Sequence, residues 1–164
     1  MIIETERLEI IPLNLHQLKL WISDMNSFEK ELNCTYKGQP LVGFILDHVL
    51  EQIEAITKDE PNYLFYTTWL IILKANRIAV GSAAFKGSPN HHEEIEIGYG
   101  LGEEFEHHGY MTEAVNELCK WGLKQEKVKH IIAETDLDGY ASQRILARNG
   151  FERYQFEDSS WWRL

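Results

Sequence analysis

The segment at 101–114, LGEEFEHHGYMTEA, has the residues with the clearest chemical potential in this chain of 164 residues. A predicted strand ends at Leu101, a short polar turn follows, and a predicted helix begins near Gly109. The first N–H groups of a helix lack partners within it and carry the positive end of its dipole. Because a pyrophosphate fits such a helix start, the segment predicts a phosphate-binding site. An ordinary strand–turn–helix is the alternative that these residues alone leave open.

The elements around this segment follow from the spacing of apolar residues. Alternation of polar and apolar residues predicts strands, and apolar residues at intervals of three and four predict helices. The predicted strands are residues 6–13, 67–74, 77–85, 94–101, 129–135, 151–156 and 161–164. The predicted helices are residues 15–23, 41–58, 111–124 and 142–149, with a further short helix around 28–32. This order predicts an α/β or α+β fold, in which a sheet has helices on both faces.

Length and composition predict one domain over residues 1–164. The formal charge is −10, from 16 basic and 26 acidic residues, which disfavours nucleic acid and anionic lipid as partners and favours cations. The longest aliphatic run, residues 70–73, is far too short to cross a membrane, and the N-terminus has no secretory pattern. Cys34 and Cys119 predict free thiols rather than a disulfide framework, so we expect a cytoplasmic protein.

Three motifs, in the same order along the chain, resemble one family. Residues 109–114, GYMTEA, are similar to the acyl-CoA-binding loop of the GNAT N-acetyltransferases, in particular the ribosomal-protein (RimJ/RimL-type) branch. Residues 4–13, ETERLEIIPL, resemble the opening strand of that branch, and residues 141–151, ASQRILARNGF, resemble its segment near the C-terminus. Together the motifs bracket almost the whole chain. The resemblance implies the GNAT fold, with a central, mixed, mostly antiparallel twisted sheet and helices on both faces.

The resemblance also implies a reaction and a set of CoA-binding residues. The reaction is direct transfer of the acetyl group from acetyl-CoA, the co-substrate, to a primary amine, without a metal. The acceptor is a peptide or protein N-terminus, a polyamine or an aminoglycoside, and residues 26–66 are expected to form much of its wall. The implied CoA-binding residues are Leu101, Gly102, His107, His108, Gly109, Tyr110, Met111, Thr112, Gly139 and Ser142.

The chain departs from the family pattern at three positions. Glu104 stands where the family usually has Gln or Arg, His107 stands at the first Gly of the loop, and Gly139 stands where Asn is usual. We expect His107 to be tolerated, because its N–H remains and residues of a first helical turn have negative φ. Glutamates in the loop place negative charge beside the expected pyrophosphate, and the two loop histidines would offset part of it when protonated.

Three catalytic roles follow from the same resemblance. Glu96 is the expected general base for the amine, with Glu94 on the same strand face as the reserve, and a solvent-facing carboxylate is the alternative. The backbone N–H of Leu101, beside a bulge, is the expected donor to the oxyanion. Many relatives place a Tyr where this chain has Leu146, so Ser142 is the expected helper of the leaving thiolate. Capping of the last helix is the alternative role for Ser142.

The remaining polar and aromatic features are less specific. The adjacent histidine pairs at 91–92 and 107–108 lack the spacing of metal ligands, so no metal site is predicted. Trp161 and Trp162 lie on a predicted strand, so one ring is expected to point inward and the other outward. The outward ring is expected to line the acceptor pocket or to form a contact in a homodimer. A non-catalytic acyl-CoA-binding domain and a protein-interaction domain of the same fold are the rival functions.

Overall fold

A twisted sheet of nine strands organises the computed structural model, which describes residues 1–164. The strands are β1 (Ile3–Glu4), β2 (Leu8–Pro12), β3 (Thr35–Tyr36), β4 (Thr68–Leu73), β5 (Ile78–Phe85), β6 (Glu94–Leu101), β7 (His130–Thr135), β8 (Glu152–Phe156) and β9 (Ser160–Arg163). Their order across the sheet is β1-β2-β4-β5-β6-β7-β9-β8, and β3 pairs with β5. Only β3–β5 and β6–β7 are parallel pairs. The predicted mixed, mostly antiparallel sheet is confirmed.

Helices cover both faces of this sheet, as predicted. They are α1 (Leu15–Ser23), α2 (Met25–Leu32), α3 (Gly43–Lys58), α4 (Tyr110–Leu123) and α5 (Tyr140–Arg148). One face packs against α4 and α5 through a cluster that includes Leu118 and Leu146. The other face packs against α1, α2 and α3 through Leu18, Phe28 and Val49. The sheet therefore has two separate cores, and a ligand crossing its plane would pass from one helical layer to the other.

Local capping explains where the first helices begin. Asn14 accepts the N–H of Gln17 at 2.8 Å, and the Gln17 side chain accepts the N–H of Asn14 at 3.0 Å. This reciprocal capping box satisfies two backbone donors at the start of α1. Asp24 caps α2 in the same way by accepting the N–H of Ser27, so α2 begins three residues before the predicted short helix. The other predicted elements agree with the structure within two residues at each end.

Some elements were not predicted, and one predicted feature is wrong. The two-residue strands β1 and β3 and a 3-10 helix at Glu60–Phe65 were missed, since such short segments carry no periodicity. The bulge predicted beside Leu101 is absent, because β5 and β6 pair without a register shift from Phe85↔Ile97 to Gly81↔Leu101. The register shifts of the sheet lie instead between β4 and β5 and between β8 and β9.

No helix in this fold combines the length and the apolar character needed to cross a membrane.

Candidate active site

The parallel strands β6 and β7 begin as neighbours and then separate. They pair from Glu94↔His130 to Glu96↔Ile132. Beyond that point β6 continues along β5, and β7 continues along β9. A gap therefore opens in the sheet between the carboxyl halves of the two strands.

The backbone N–H of Leu101 points toward this gap. Gly102 donates its N–H to the Val80 carbonyl at 2.8 Å, and Lys86 donates to the Glu96 carbonyl at 2.9 Å. Alternate residues of an antiparallel strand bond to the partner, so the even-numbered residues of β6 face β5 and Leu101 faces away from it. The regular ladder thus directs this N–H into the gap without the predicted bulge. A donor there can bind an oxyanion.

A cavity of about 370 Å³ lies in the gap, between the start of α4 and α5. Seven of the residues predicted to bind CoA line it, and they are Leu101, His107, Gly109, Tyr110, Met111, Thr112 and Ser142. The N-cap of α4 is Gly109, which has φ +78° and no side chain to cap the helix. The first bond within the helix is from the Glu113 N–H to the Gly109 carbonyl. The N–H groups of residues 110–112, in the first turn of α4, thus have no partner within the helix. Such free N–H groups can bind an anion.

The other three predicted CoA-binding residues lie outside the lining of this cavity. The ring of His108 packs against the turn that contains it. Its Nδ1–H donates to the Glu106 carbonyl at 2.8 Å, and the ring stacks on Tyr110. Gly139 is the N-cap of α5. Gly102 lies where a Cβ would collide with the Lys37 carbonyl, so its lack of a side chain serves packing.

His107 adopts a backbone conformation that the sequence did not predict. Its φ is +65°, in the left-handed region, so the expectation of a negative φ at this position is wrong. The residue belongs to the turn before α4 rather than to the first helical turn. A residue with a Cβ pays about 1 kcal/mol for this conformation, which a glycine avoids. The departure from the family glycine therefore has a cost in the backbone.

The charges in the cavity favour an anion despite the net charge of the chain. Arg144 and Arg148 line it from α5, against the single carboxylate of Glu106. Glu103 and Glu104 line a separate depression beside Gly102. Two cations and one anion produce a locally positive site on an acidic protein. The sequence analysis missed these arginines, although their spacing of four places them on one helical face.

Tyr99 and Ser142 form a hydroxyl pair across the gap. Tyr99 Oη lies 2.7 Å from Ser142 Oγ, and either can be the donor. Burial raises the pKa of Tyr99 to about 12, partly opposed by this hydrogen bond, so the phenol is protonated at neutral pH. Gly139 rather than Ser142 is the N-cap of α5, so the capping alternative for Ser142 is wrong. Tyr99 was missed, although strand alternation places it on the same face as Leu101.

A second cavity, of about 570 Å³, lies on the opposite side of the sheet. Its polar and aromatic lining includes Trp21, Phe44, Asp47, His48, Glu51 and Lys86. Six of its sixteen lining residues come from α3, which lies within the region predicted to contact the acceptor. Glu96 is not part of the lining, and its carboxylate forms an ion pair with Lys86.

His48 is the titratable group of this second cavity that the sequence analysis missed. The ring is half-buried, and its Nε2 lies 3.5 Å from the amide nitrogen of Gln52. Burial lowers the pKa of His48; Lys86 adds to this effect, and Glu51 opposes it. The imidazole is therefore neutral at pH 7 and can accept a proton. Its position at the edge of the apolar stripe of α3 was the available signal.

The two cavities meet at the carboxyl half of β6. Gln39, Tyr99 and Gly100 line both of them. At Gly100 the Gln39 side chain occupies the place that a Cβ would take, so Gln39 packs directly against the β6 backbone at this junction. A ligand in each cavity could thus react with the other through the plane of the sheet.

Comparison with known proteins identifies the class to which this fold and site belong. The family described as the acetyltransferase (GNAT) domain matches residues 7–152. The uncharacterized N-acetyltransferase YjdG of Bacillus subtilis strain 168 is 28% identical over 150 residues, which cover 92% of this chain and 89% of YjdG. The chain therefore belongs to the GNAT acetyltransferase family and is an acetyl-CoA-dependent acyltransferase, as predicted.

Solved structures share the complete fold. A GNAT-family acetyltransferase from Bacillus anthracis has a TM-score of 0.68 at 21% identity, with 100% of this chain and 98% of that chain covered. RimL, a ribosomal L7/L12 alpha-N-protein acetyltransferase solved with CoA, has a TM-score of 0.71 at 15% identity, with 100% and 97% covered. The ribosomal-protein-S5-alanine acetyltransferase from Vibrio fischeri has a TM-score of 0.71 at 16% identity, with 100% and 96% covered.

Proposed function

We propose that this protein transfers the acetyl group of acetyl-CoA directly to a primary amine. The observation that carries the proposal is the junction of two cavities at Tyr99 and Gly100. The amine nitrogen attacks the thioester carbon, the C–S bond breaks, and the amine loses one proton as the amide forms. The thiolate of CoA gains one proton, so the products are the acetylated amine and free CoA.

The α4 side of the gap supplies groups for binding and for the developing charges. The uncapped N–H groups of α4, together with Arg144 and Arg148, suit the phosphates of CoA. The Leu101 N–H points into the gap, where it would donate to the thioester carbonyl oxygen and stabilise the oxyanion. These backbone and arginine groups offset the acidic charge of the chain locally, at the place where the phosphates would bind.

The Tyr99–Ser142 pair serves the leaving sulfur through a hydrogen bond. A phenol with a pKa of about 12 does not give up its proton to a thiolate, because an ordinary thiol has a pKa of about 8.5. The Tyr99 O–H can donate to Ser142 Oγ at 2.7 Å or to the Ser142 carbonyl at 3.3 Å. When Tyr99 donates to Ser142 Oγ, the Ser142 O–H is available to donate to the sulfur. Ser142 thus keeps its predicted role as a proposal, with Tyr99 as its partner.

Two groups on the α3 side are able to take the amine proton. Glu96, the base expected from the sequence, would act through water beside its ion pair with Lys86. His48 is the second candidate, and the observation that favours it is its place in the cavity lining as a neutral imidazole. Removing each of the two side chains in turn distinguishes the two assignments.

The acceptor is proposed from the charge of its cavity and from the relatives. Asp47 and Glu51 line the cavity and suit an acceptor with a cationic group. RimL acts on the alpha-amino group of a ribosomal protein, and this chain shares its fold. We therefore propose a peptide or protein N-terminus as the acceptor class, with small polyamines as the alternative. A cytoplasmic location remains a prediction.

The experiment that tests this function measures free CoA thiol released from acetyl-CoA in the presence of amines. The panel contains short peptides with free N-termini, the same peptides with blocked N-termini, and polyamines. Thiol release that requires a free amine, with mass spectrometry showing the acetylated product, supports the proposal. Binding of acetyl-CoA without release for any amine would favour the non-catalytic binder, and absence of binding would favour the interaction domain.

A further inference from the structure

The opening segment of the chain holds the first turn of α4. Thr5 Oγ1 donates to Glu113 Oε1 at 2.5 Å, and the Arg7 N–H donates to the same oxygen at 3.0 Å. The Arg7 guanidinium donates to Glu113 Oε2 from Nε and from a terminal nitrogen, each at 2.7 Å. Residues more than 100 positions apart are thus joined by four polar contacts. Two of the motifs that resemble the family meet here.

Arg7 also contacts the turn that precedes α4. Its remaining terminal nitrogen donates to the His108 carbonyl at 2.9 Å, and its Cζ lies 4.7 Å from the centre of the Tyr110 ring. The bonded carbonyl lies between His107 and Gly109, which both have left-handed φ. Such a turn is strained at His107 and has no side-chain cap, so it depends on its surroundings to keep its shape.

The carboxylate of Glu113 is held in its charged form by these contacts. Burial raises its pKa, but the hydrogen bonds from Thr5 and Arg7 outweigh burial and leave the pKa below its usual value. The pair therefore stays ionised at neutral pH. Two guanidinium nitrogens of Arg7 converge on one oxygen, Glu113 Oε2, and a lysine ammonium cannot reproduce this planar geometry.

We propose that Arg7 and Glu113 are positioning residues that fix the turn before α4 in the shape that binds the phosphates of acetyl-CoA. This inference rests on the proposed function. Arg7 does not line the cavity of about 370 Å³ at the start of α4, which is the CoA-side cavity. Each of its side-chain nitrogens already has a protein partner. Its effect on the phosphates is therefore exerted through the His108 carbonyl and the start of α4.

The test compares Arg7→Lys with a matched variant, Arg77→Lys. Arg77 is also embedded, since it forms an ion pair with Glu9 and donates to the Asn33 and Leu32 carbonyls, but it lines neither cavity. Lysine keeps the charge but cannot donate to Glu113 Oε2 and to the His108 carbonyl with the planar geometry of the guanidinium. We expect Arg7→Lys to weaken acetyl-CoA binding in calorimetry, and to raise its KM, by about tenfold with kcat changed less than about twofold. Arg77→Lys should leave both the affinity and the KM unchanged.

Further readouts separate positioning from stability. Hydrogen exchange of the N–H groups at 113–115, the first to bond within α4, should become faster in Arg7→Lys while exchange in β4 and β5 stays the same. Thr5→Val removes the bond to Glu113 and the bond that Thr5 Oγ1 accepts from the Leu8 N–H at 2.9 Å, but it keeps Arg7. It should therefore weaken acetyl-CoA binding less than Arg7→Lys does. Unchanged acetyl-CoA affinity in Arg7→Lys, or an equal loss in Arg77→Lys, would overturn the positioning role. Failure of the wild-type protein to bind acetyl-CoA would instead overturn the proposed function, and this inference with it.

Discussion

His107 and Glu106 are neighbours in the turn before α4, but they differ in backbone conformation. His107 has φ +65°, and Glu106 has φ −65°. We predict that His107→Gly leaves the free energy of unfolding unchanged or raises it by up to about 1 kcal/mol, because relief of the left-handed strain offsets the extra chain entropy. Glu106→Gly, which only adds chain entropy, should lower it by about 0.5–1 kcal/mol. Denaturant unfolding measures both, and equal losses would contradict the assigned conformation.

The two hydroxyls of Tyr99 and Ser142 should behave as one unit in catalysis. We predict that Tyr99→Phe and Ser142→Ala each lower kcat by about tenfold, and that the double variant loses little more than either single one. The reason is that each substitution leaves the leaving sulfur without a correctly directed O–H. Steady-state kinetics with saturating acetyl-CoA provides the measurement. Fully multiplicative losses would show that the two hydroxyls act independently.

The pH dependence of the rate distinguishes His48 from Glu96 as the proton acceptor. Because burial lowers the pKa of His48, the neutral base is present at pH 7, and the rate should fall as pH drops through a value below about 6.5. We predict that His48→Gln removes this limb of the profile and lowers kcat by about 10²-fold. Glu96→Gln serves as the matched variant with the same acceptor amine. A limb that persists in His48→Gln and disappears in Glu96→Gln would assign the base to Glu96.

At the scale of the elements, three glycines explain how β6 approaches the segment at 37–40. Two of them lie in β6, and the third follows directly after the strand. Gly98, Gly100 and Gly102 are every second residue and therefore lie on one face. Substitution of each by Ala should lower the free energy of unfolding by a different amount. A Cβ at Gly98 meets only Lys86 Cε at 3.4 Å, one at Gly100 meets the movable Gln39 side chain, and one at Gly102 meets the Lys37 backbone carbonyl. We predict negligible, intermediate and large losses of unfolding free energy in that order, the last above about 2 kcal/mol. An equal cost at all three would contradict this packing.

Much of the fold was predictable because its elements carry strong local signals. The alternation in β6 and the apolar face of α4 gave bounds close to those observed. The left-handed φ of His107 was not predictable, since it depends on how the turn connects β6 to α4. The partners of Glu113 and Tyr99 were also missed, because contacts across distant parts of the chain leave no periodic pattern. The faces on which Tyr99 and Arg148 lie could have been predicted, Tyr99 from strand alternation and Arg148 from helical spacing.

At the scale of the whole molecule, the charge of −10 should affect the acceptor through its long-range field. We predict that kcat/KM for an amine with a second, distant cation falls at least about fivefold as salt rises from about 0.02 M to about 0.3 M. An amine of the same length with a hydroxyl in place of the distant cation should change less than about twofold. The difference between the two acceptors isolates the effect of the extra charge. The same salt dependence for both would show that the acidic lining does not attract the acceptor.

The central claim is that the CoA-side and acceptor-side cavities join at Tyr99 and Gly100. The most direct measurement compares two CoA analogues that carry a carbonylmethyl amide on the sulfur. One has only a short carbamoylmethyl group, and the other has an amide tail derived from an acceptor amine. Such a ligand gains affinity only if the tail reaches a connected second site. Calorimetry should give a Kd at least about tenfold lower for the tailed analogue than for CoA with a short carbamoylmethyl group. Equal or weaker binding of the tailed analogue would contradict the joined cavities.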